Sequence, residues 1–162
     1  TPDRTQRRLA ARNADLTMSV APARRSDALF DLYARYLDAR HPDSPMADPT
    51  VAEFDQFLIG DWSPTRFFEW RLRDRLVAVA VTDVTPNALS AVYTFFDPDF
   101  GPRSLGTQAL LGQIDWARAT ARPHLYLGFW LKGHPKMDYK RRFRPLERLW
   151  NGHWIAFDED TA

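Results

Sequence analysis

Residues 67–96 read FFEWRLRDRLVAVAVTDVTPNALSAVYTFF, and this stretch decides the fold. Val77, Val79 and Val81 alternate with Ala78, Ala80 and Thr82, the two-residue period of a strand buried on at least one face. A strand over 67–73 precedes it across a tight connection at Asp74. Pro86-Asn87 turns the chain into a third strand over 88–96. Connections this short make an antiparallel meander.

Downstream, the period changes. Leu110, Ile114, Ala117 and Ala121 form the inward stripe of a helix over 105–121. A strand follows over 124–131, then a weaker helix over 136–142 and a last strand over 154–157. Upstream, Ser26 is placed to cap a helix over 26–40 with Leu29, Tyr33, Tyr36 and Leu37 at helical spacing, and His41-Pro42 stops it. Thr50-Val-Ala-Glu53 has capping-box spacing and opens a second helix carrying Val51, Phe54, Phe57 and Leu58. Residues 1–23 are polar and basic and read as a lead-in arm to a domain over 24–158. The expected architecture is an α/β sandwich, a mixed, mostly antiparallel sheet flanked by helices.

The chain has 162 residues, enough for one domain with a sizeable core. It is rich in aromatics, with eleven Phe, six Trp and five Tyr, which serve burial and base stacking equally well. With 22 basic and 21 acidic residues the net charge is +1, so only the distribution of charge is informative. Basic residues gather at Arg4, Arg7, Arg8 and Arg12, and again at Lys132, Lys136, Lys140, Arg141, Arg142, Arg144 and Arg148. There is no cysteine, which excludes disulfides, thiolate catalysis and cysteine-type zinc sites within this sequence. No apolar run approaches a membrane span and no signal segment opens the chain, so a cytoplasmic protein with no membrane partner is expected. His41, His124, His134 and His153 fit no ligand spacing, and no metal site is expected.

Three segments can carry chemistry. Arg103-Ser-Leu-Gly-Thr107 opens a helix, whose N-terminus offers unpaired N–H groups and a partial positive charge to an anion. Read more plainly, Ser104 is an ordinary helix cap. Lys136-Met-Asp-Tyr-Lys140-Arg141 sets two lysines one helical turn apart with Tyr139 and Phe143 interleaved, which suits single-stranded nucleic acid or a solvated helix with its aromatics inward. The strand HLYLGFWL (124–131) is half aromatic; the polar ends of Tyr126 and Lys132 are its candidate functional groups, and Gly128 suggests a bulge or a close approach. Asp97 and Asp99 are either turn residues or a general base.

SLGTQALLGQIDWARA (104–119), HLYLGFWL (124–131) and KMDYKRRFRPLERL (136–149), with LYARYLDARHPDSPM (32–46) and VYTFFDPDF (92–100) upstream, resemble the C-terminal catalytic domain of the arginyl-tRNA–protein transferases. The resemblance runs from about residue 6 to residue 154, and His134-Pro135 and Gly152-His-Trp154 lean toward the family's bacterial, aspartate/glutamate leucyltransferase branch. It implies the acyl-CoA N-acyltransferase (GNAT) fold, in agreement with the element order. It also implies transfer of an amino acid from charged tRNA to proteins that begin with Asp or Glu, marking them for degradation. Leucine is the expected donated residue and arginine the alternative. Family members carry an N-terminal cysteine-cluster domain that this sequence lacks, so metal or redox control is expected to lie outside it.

An aminoacyl ester is already activated, so no cofactor is expected beyond the aminoacyl-tRNA itself, and positioning is the main task. On this reading Arg103, Ser104, Leu105, Gly106 and Thr107 hold the donor, and Lys136, Lys140 and Arg141 contact tRNA. Arg103 or Lys132 faces the acidic acceptor, and Tyr93, Tyr126 or Tyr139 orients the amine or protonates the leaving hydroxyl. A coenzyme A-dependent N-acetyltransferase and a non-catalytic tRNA or N-terminus binding module are the other classes these features fit.

Overall fold

Strand β3 (Arg75–Val84) is buried from Leu76 to Asp83, because helices cover both faces of the sheet in the computed structural model. The structure describes residues 2–60, 63–134 and 137–158. β3 lies between β2 (Thr65–Leu72) and β4 (Ala88–Phe96), both antiparallel to it, which is the meander expected from the alternation. Helices α2 (Asp27–Arg40) and α3 (Val51–Leu58) cover one face. Leu32, Tyr33, Leu37, Phe54 and Leu58 pack there on Phe67, Val79, Val81 and Phe95. Both N-termini are capped as their sequences specify, by Ser26 and by the Thr50–Glu53 capping box. Helix α4 (Leu105–Ala119) covers the other face, with Leu105, Ala109 and Ala117 against Phe68, Trp70, Ala78, Ala80 and Leu89. Each fully buried Leu or Phe contributes roughly 1.5–3 kcal/mol.

The N-terminal stretch is a correction to the expected arm. Asp3 and Gln6 form a capping box on helix α1 (Arg4–Arg12), and β1 (Leu16–Pro22) pairs antiparallel with β2 from Leu16↔Leu72 to Pro22↔Arg66. Leu16, Met18 and Val20 recur at period two and pack against the α4-side core, so the strand was there to be read beneath the charge around it.

The C-terminal third also differs. β5 is only His124–Tyr126, not the whole of 124–131, and it pairs parallel with β4. The helix expected over 136–142 is a single 3-10 turn, Asp138–Arg142. The last strand is one arm of a hairpin, β6 (Glu147–Trp150) and β7 (His153–Ala156), which forms a separate two-stranded sheet. Asn151 (φ 48°) and Gly152 (φ 78°) make its two-residue turn, the left-handed pair that Asn-Gly adopts most readily.

At Gly112 the helix packs tightly against the sheet. A Cβ there would lie 2.6 Å from Trp70 Cζ2 and 3.0 Å from Met18 Sδ, so only glycine allows the approach.

Candidate functional site

The main-sheet order β1-β2-β3-β4-β5 hides one irregularity, and the site is built on it. β5 pairs with β4 only from Ala88↔His124 to Ser90↔Tyr126. Beyond Ser90, β4 runs on for six residues with no partner strand on that side among the described residues, while 127–131 leaves the sheet. The result is a splayed pair of strands, which we call the cleft, with the backbone edge 91–96 free of a partner strand along one side. That edge is bulged: Val81 pairs with Tyr93 but Thr82 with Ala91, so Val92 is the extra residue. Val92 and Tyr93 consequently both pack toward the α2–α3 face. On the other wall Gly128 takes φ +73°, and Lys140 Nζ donates a 2.6 Å hydrogen bond to the Phe129 carbonyl.

The cleft ends at the start of α4. Asp97 is wholly buried at the end of β4, and its carboxylate accepts from the Asp99 N–H at the head of the 3-10 turn Pro98–Arg103. Ser104 then takes a left-handed conformation (φ 49°, ψ 52°), and α4 begins. Among the described residues no side chain caps α4; the Ser104 carbonyl accepts from Thr107 and Gln108, and its hydroxyl makes no cap hydrogen bond. Ser104 stands at the N-cap position as its spacing suggests, but its side chain does not cap the helix, which leaves the anion-site reading open. A left-handed residue just ahead of uncapped first-turn amides is the geometry of an anion-binding concavity.

Behind this loop α1 acts as a brace. Arg12 donates to the Pro102 carbonyl (2.6 Å) and Asn13 to the Arg103 carbonyl (3.0 Å). The Arg103 guanidinium forks onto Asp15 at 2.6 and 2.9 Å, and its hydrogen bond holds the Asp15 carboxyl below its usual range. Arg103 thus fixes the loop through Asp15. Leu105 turns its side chain into the core and presents only backbone to a donor. A Cβ on Gly106 would make ordinary contact with Phe96 at 3.5 Å, and Thr107 is half-buried beside it.

Asp97 is no base. Burial pushes its carboxyl up, but hydrogen bonds from Arg35 (3.1 and 3.2 Å) and Arg75 (2.6 and 3.1 Å) outweigh this and hold it low. Arg35 and Arg75, both about half exposed, were not singled out in the sequence; they lie 62 and 22 residues from Asp97, and no local motif joins them.

Of the tyrosines, Tyr93 lies within 6.3 Å of Tyr33 and Tyr36 and 5.3 Å of Phe57, ring centre to ring centre. Its hydroxyl is buried without a partner among the described residues, and burial, with Tyr36 and Tyr33 beside it, pushes the phenol far up. Tyr139 is 38% exposed, yet partial desolvation of its phenol, with Tyr36 nearby, also raises it. Tyr126 is exposed and sits beside Trp154 of the hairpin, ring centres 5.6 Å apart. Lys132 is exposed, Lys136 lies outside the described residues, and Arg141 pairs with Asp138 at 2.9 Å. Burial lowers the Lys140 ammonium, whose hydrogen bond goes to its own chain.

A cavity of about 310 Å³ lies elsewhere, among Gln6, the C-terminal half of α4, His124–Leu125 and 143–146, away from the donor loop. No group of three or more His, Asp or Glu side chains gathers to hold a metal ion among the described residues.

The fold is that of the N-acetyltransferases. The ribosomal-protein-S18-alanine N-acetyltransferase from Escherichia coli superposes with a TM-score of 0.54 at 16% identity, covering 77% of this chain and 75% of that one. L-PGS from Bacillus licheniformis superposes at 0.59 and 11% identity, covering 82% and 43%. The model of the arginine-tRNA-protein transferase C terminus matches residues 28–150, and the chain belongs to that family. It is 57% identical over 165 residues to the aspartate/glutamate leucyltransferase of Stenotrophomonas maltophilia K279a, covering 98% of this chain and 66% of the relative. To that of Xanthomonas campestris pv. campestris B100 it is 56% identical over 159 residues, covering 94% and 63%. The chain thus spans just under two thirds of the length of the curated relatives it matches.

Proposed function

We propose that this domain transfers leucine from leucyl-tRNA to the N-terminal amine of proteins beginning with Asp or Glu. The observation that carries the reading is the juxtaposition of two features: the open, bulged edge of β4 ends at Phe96, whose ring lies beside Gly106 in the uncapped first turn of α4. A donor with phosphates at one end and an activated carbonyl at the other fits that line. The names of the relatives supply the amino acid and the acceptor class.

The terminal nucleotide's phosphate sits against the first-turn amides of α4, with the Ser104 and Thr107 hydroxyls beside it. The aminoacyl ester then lies along 91–96, and free backbone N–H groups of the bulge receive the oxyanion that forms when the amine attacks. The acceptor α-amine has an ordinary pKa near 7.7–8.0, so about a tenth or more is neutral at pH 7 and a strong protein base is unnecessary. The raised Tyr139 phenol stays protonated and donates a hydrogen bond to the ribose oxygen as the ester C–O bond breaks, and the proton lost by the attacking amine passes to that oxygen; the Tyr93 hydroxyl, buried among the α2–α3 aromatics, is not used. Exposed Lys132 faces the acceptor's carboxylate. Exposed Arg142 contacts the tRNA backbone, and Lys136, outside the described residues, is assigned there from its place in the sequence alone. The ester supplies the driving force, and no cofactor enters. No described helix is long and apolar enough to cross a membrane.

The test is a transfer assay with labelled Leu-tRNA and Arg-tRNA and peptides beginning with Asp, Glu or Lys. Leucine transfer to Asp and Glu peptides alone is the expected result. Acetyl transfer from acetyl-coenzyme A, or tight tRNA binding without turnover, would overturn it.

A further inference from the structure

Helix α4 carries a polar side chain that stability does not explain. Gln113 is completely buried, on the helix face between Ala109 and Ala117, which belong to the apolar core. Its Nε2 donates to Thr82 Oγ1 at 2.6 Å, and Thr82, equally buried, donates on to the Ala80 carbonyl at 3.2 Å. The Gln113 Oε1 has no partner among the described residues. Reversing the amide would leave its nitrogen unpaired instead, so one polar atom stays unsatisfied either way. A leucine would fill a similar volume without that cost.

The value of the contact lies in where Thr82 sits. The β3–β4 register shifts between Val81 and Thr82, directly opposite the extra residue Val92. A register slip of one residue turns every side chain of a strand to the other face, and here the shift sends Val92 and Tyr93 to the same side. The bulge also lies two residues past Ser90, the last residue of β4 paired with β5. It is the apex of the cleft.

We propose that Gln113 is a positioning residue: through Thr82 it locks the bulge that aims the Val92–Tyr93 backbone at the reacting carbonyl. The inference rests on the transfer reaction proposed above for its kinetic consequence, and on geometry alone for its structural one.

The test uses Gln113→Leu, Thr82→Val and Thr82→Ser. Gln113→Leu and Thr82→Val should leave the melting temperature unchanged or raised, while kcat for leucyl transfer falls about tenfold to a hundredfold, as displacement of a reacting group by an ångström would cause. The KM for charged tRNA should stay within about twofold, because donor binding is not what the contact serves. Thr82→Ser, which keeps the hydroxyl, should restore kcat, and the Leu/Val double variant should be no slower than either single one. Independently of turnover, the Val92 and Tyr93 backbone amide resonances should move in Thr82→Val and return in Thr82→Ser. Unmoved resonances with unchanged kcat would overturn the proposal. So would losses in kcat that track losses in melting temperature and add in the double variant. If Gln113→Leu fails to fold, the Thr82 pair decides alone. If the wild type transfers nothing yet the resonances behave as stated, the functional reading fails and the structural role stands.

Discussion

Gly112 and Asp97 show how single residues set this site from opposite directions, one by what it lacks and one by what it binds. Gly112→Ala would ordinarily favour a helix by up to about 1 kcal/mol. Here the new methyl meets the buried ring of Trp70 at 2.6 Å, and overpacking of this kind costs about 1–3 kcal/mol. A net loss in urea-unfolding free energy is therefore expected. Asp97 joins α2, β3 and the donor loop through two guanidiniums. Its carboxyl is held low in the folded state, so its contribution is complete above the ordinary carboxylate pKa of about 3.9 and disappears as pH falls through the lower folded value. Asp97→Asn should lose about 2 kcal/mol at pH 7, the worth of hydrogen bonds to charged groups. It should also show a shallower loss of stability than wild type below pH 4. Neither role shows in the sequence. Asp97 reads there as one of two turn aspartates, because its partners come from distant elements, and Gly112 reads as one more small residue in a helix.

Among the elements, those fixed by local periodicity were legible and those fixed by partners were not. The meander, both capped helices and α4 follow from alternation, 3.6-residue spacing and caps, all written within a few residues. The strand expected over 124–131 ends at Tyr126 because its aromatic pattern suits a strand, but its neighbour β4 bulges away and the ladder has nothing to continue on. Asn151-Gly152 is a local hairpin signal, and its turn holds the left-handed pair of angles that signal specifies. At the start of α4, Ser104 holds a left-handed conformation that costs an L-residue roughly 1–2 kcal/mol. Ser104→Gly should therefore leave the melting temperature unchanged or slightly raised. Loss of the hydroxyl should raise the KM for charged tRNA by up to roughly tenfold, the worth of about one hydrogen bond. A melting temperature that falls, with KM unchanged, would make Ser104 a structural residue only.

At the scale of the whole molecule, a near-neutral chain has sorted its charge. Several cations legible as substrate contacts are engaged by the chain itself: the donor-loop Arg103 by Asp15, and of the tRNA set Arg141 by Asp138 and Lys140 by the Phe129 carbonyl. Sequence gives the positions of charges but not which ones folding neutralises. Arg142 remains exposed within the basic segment. Arg142→Glu should weaken tRNA binding and reduce the slope of log K against log salt by about 1. An unchanged slope would place the tRNA elsewhere.

The three-residue pairing of β5 has one more consequence, in the rate at which backbone protons are lost to solvent. Strand β3 is buried and hydrogen-bonded on both sides, whereas β5 is a short outer strand held by a ladder from His124 to Tyr126. Local opening follows such differences, so deuterium should replace protons at Leu125 and Tyr126 far sooner than at Val79 and Ala80. A donor lying in the cleft would slow exchange at the first pair and leave the second untouched, making the weakest strand of the sheet a direct readout of occupancy.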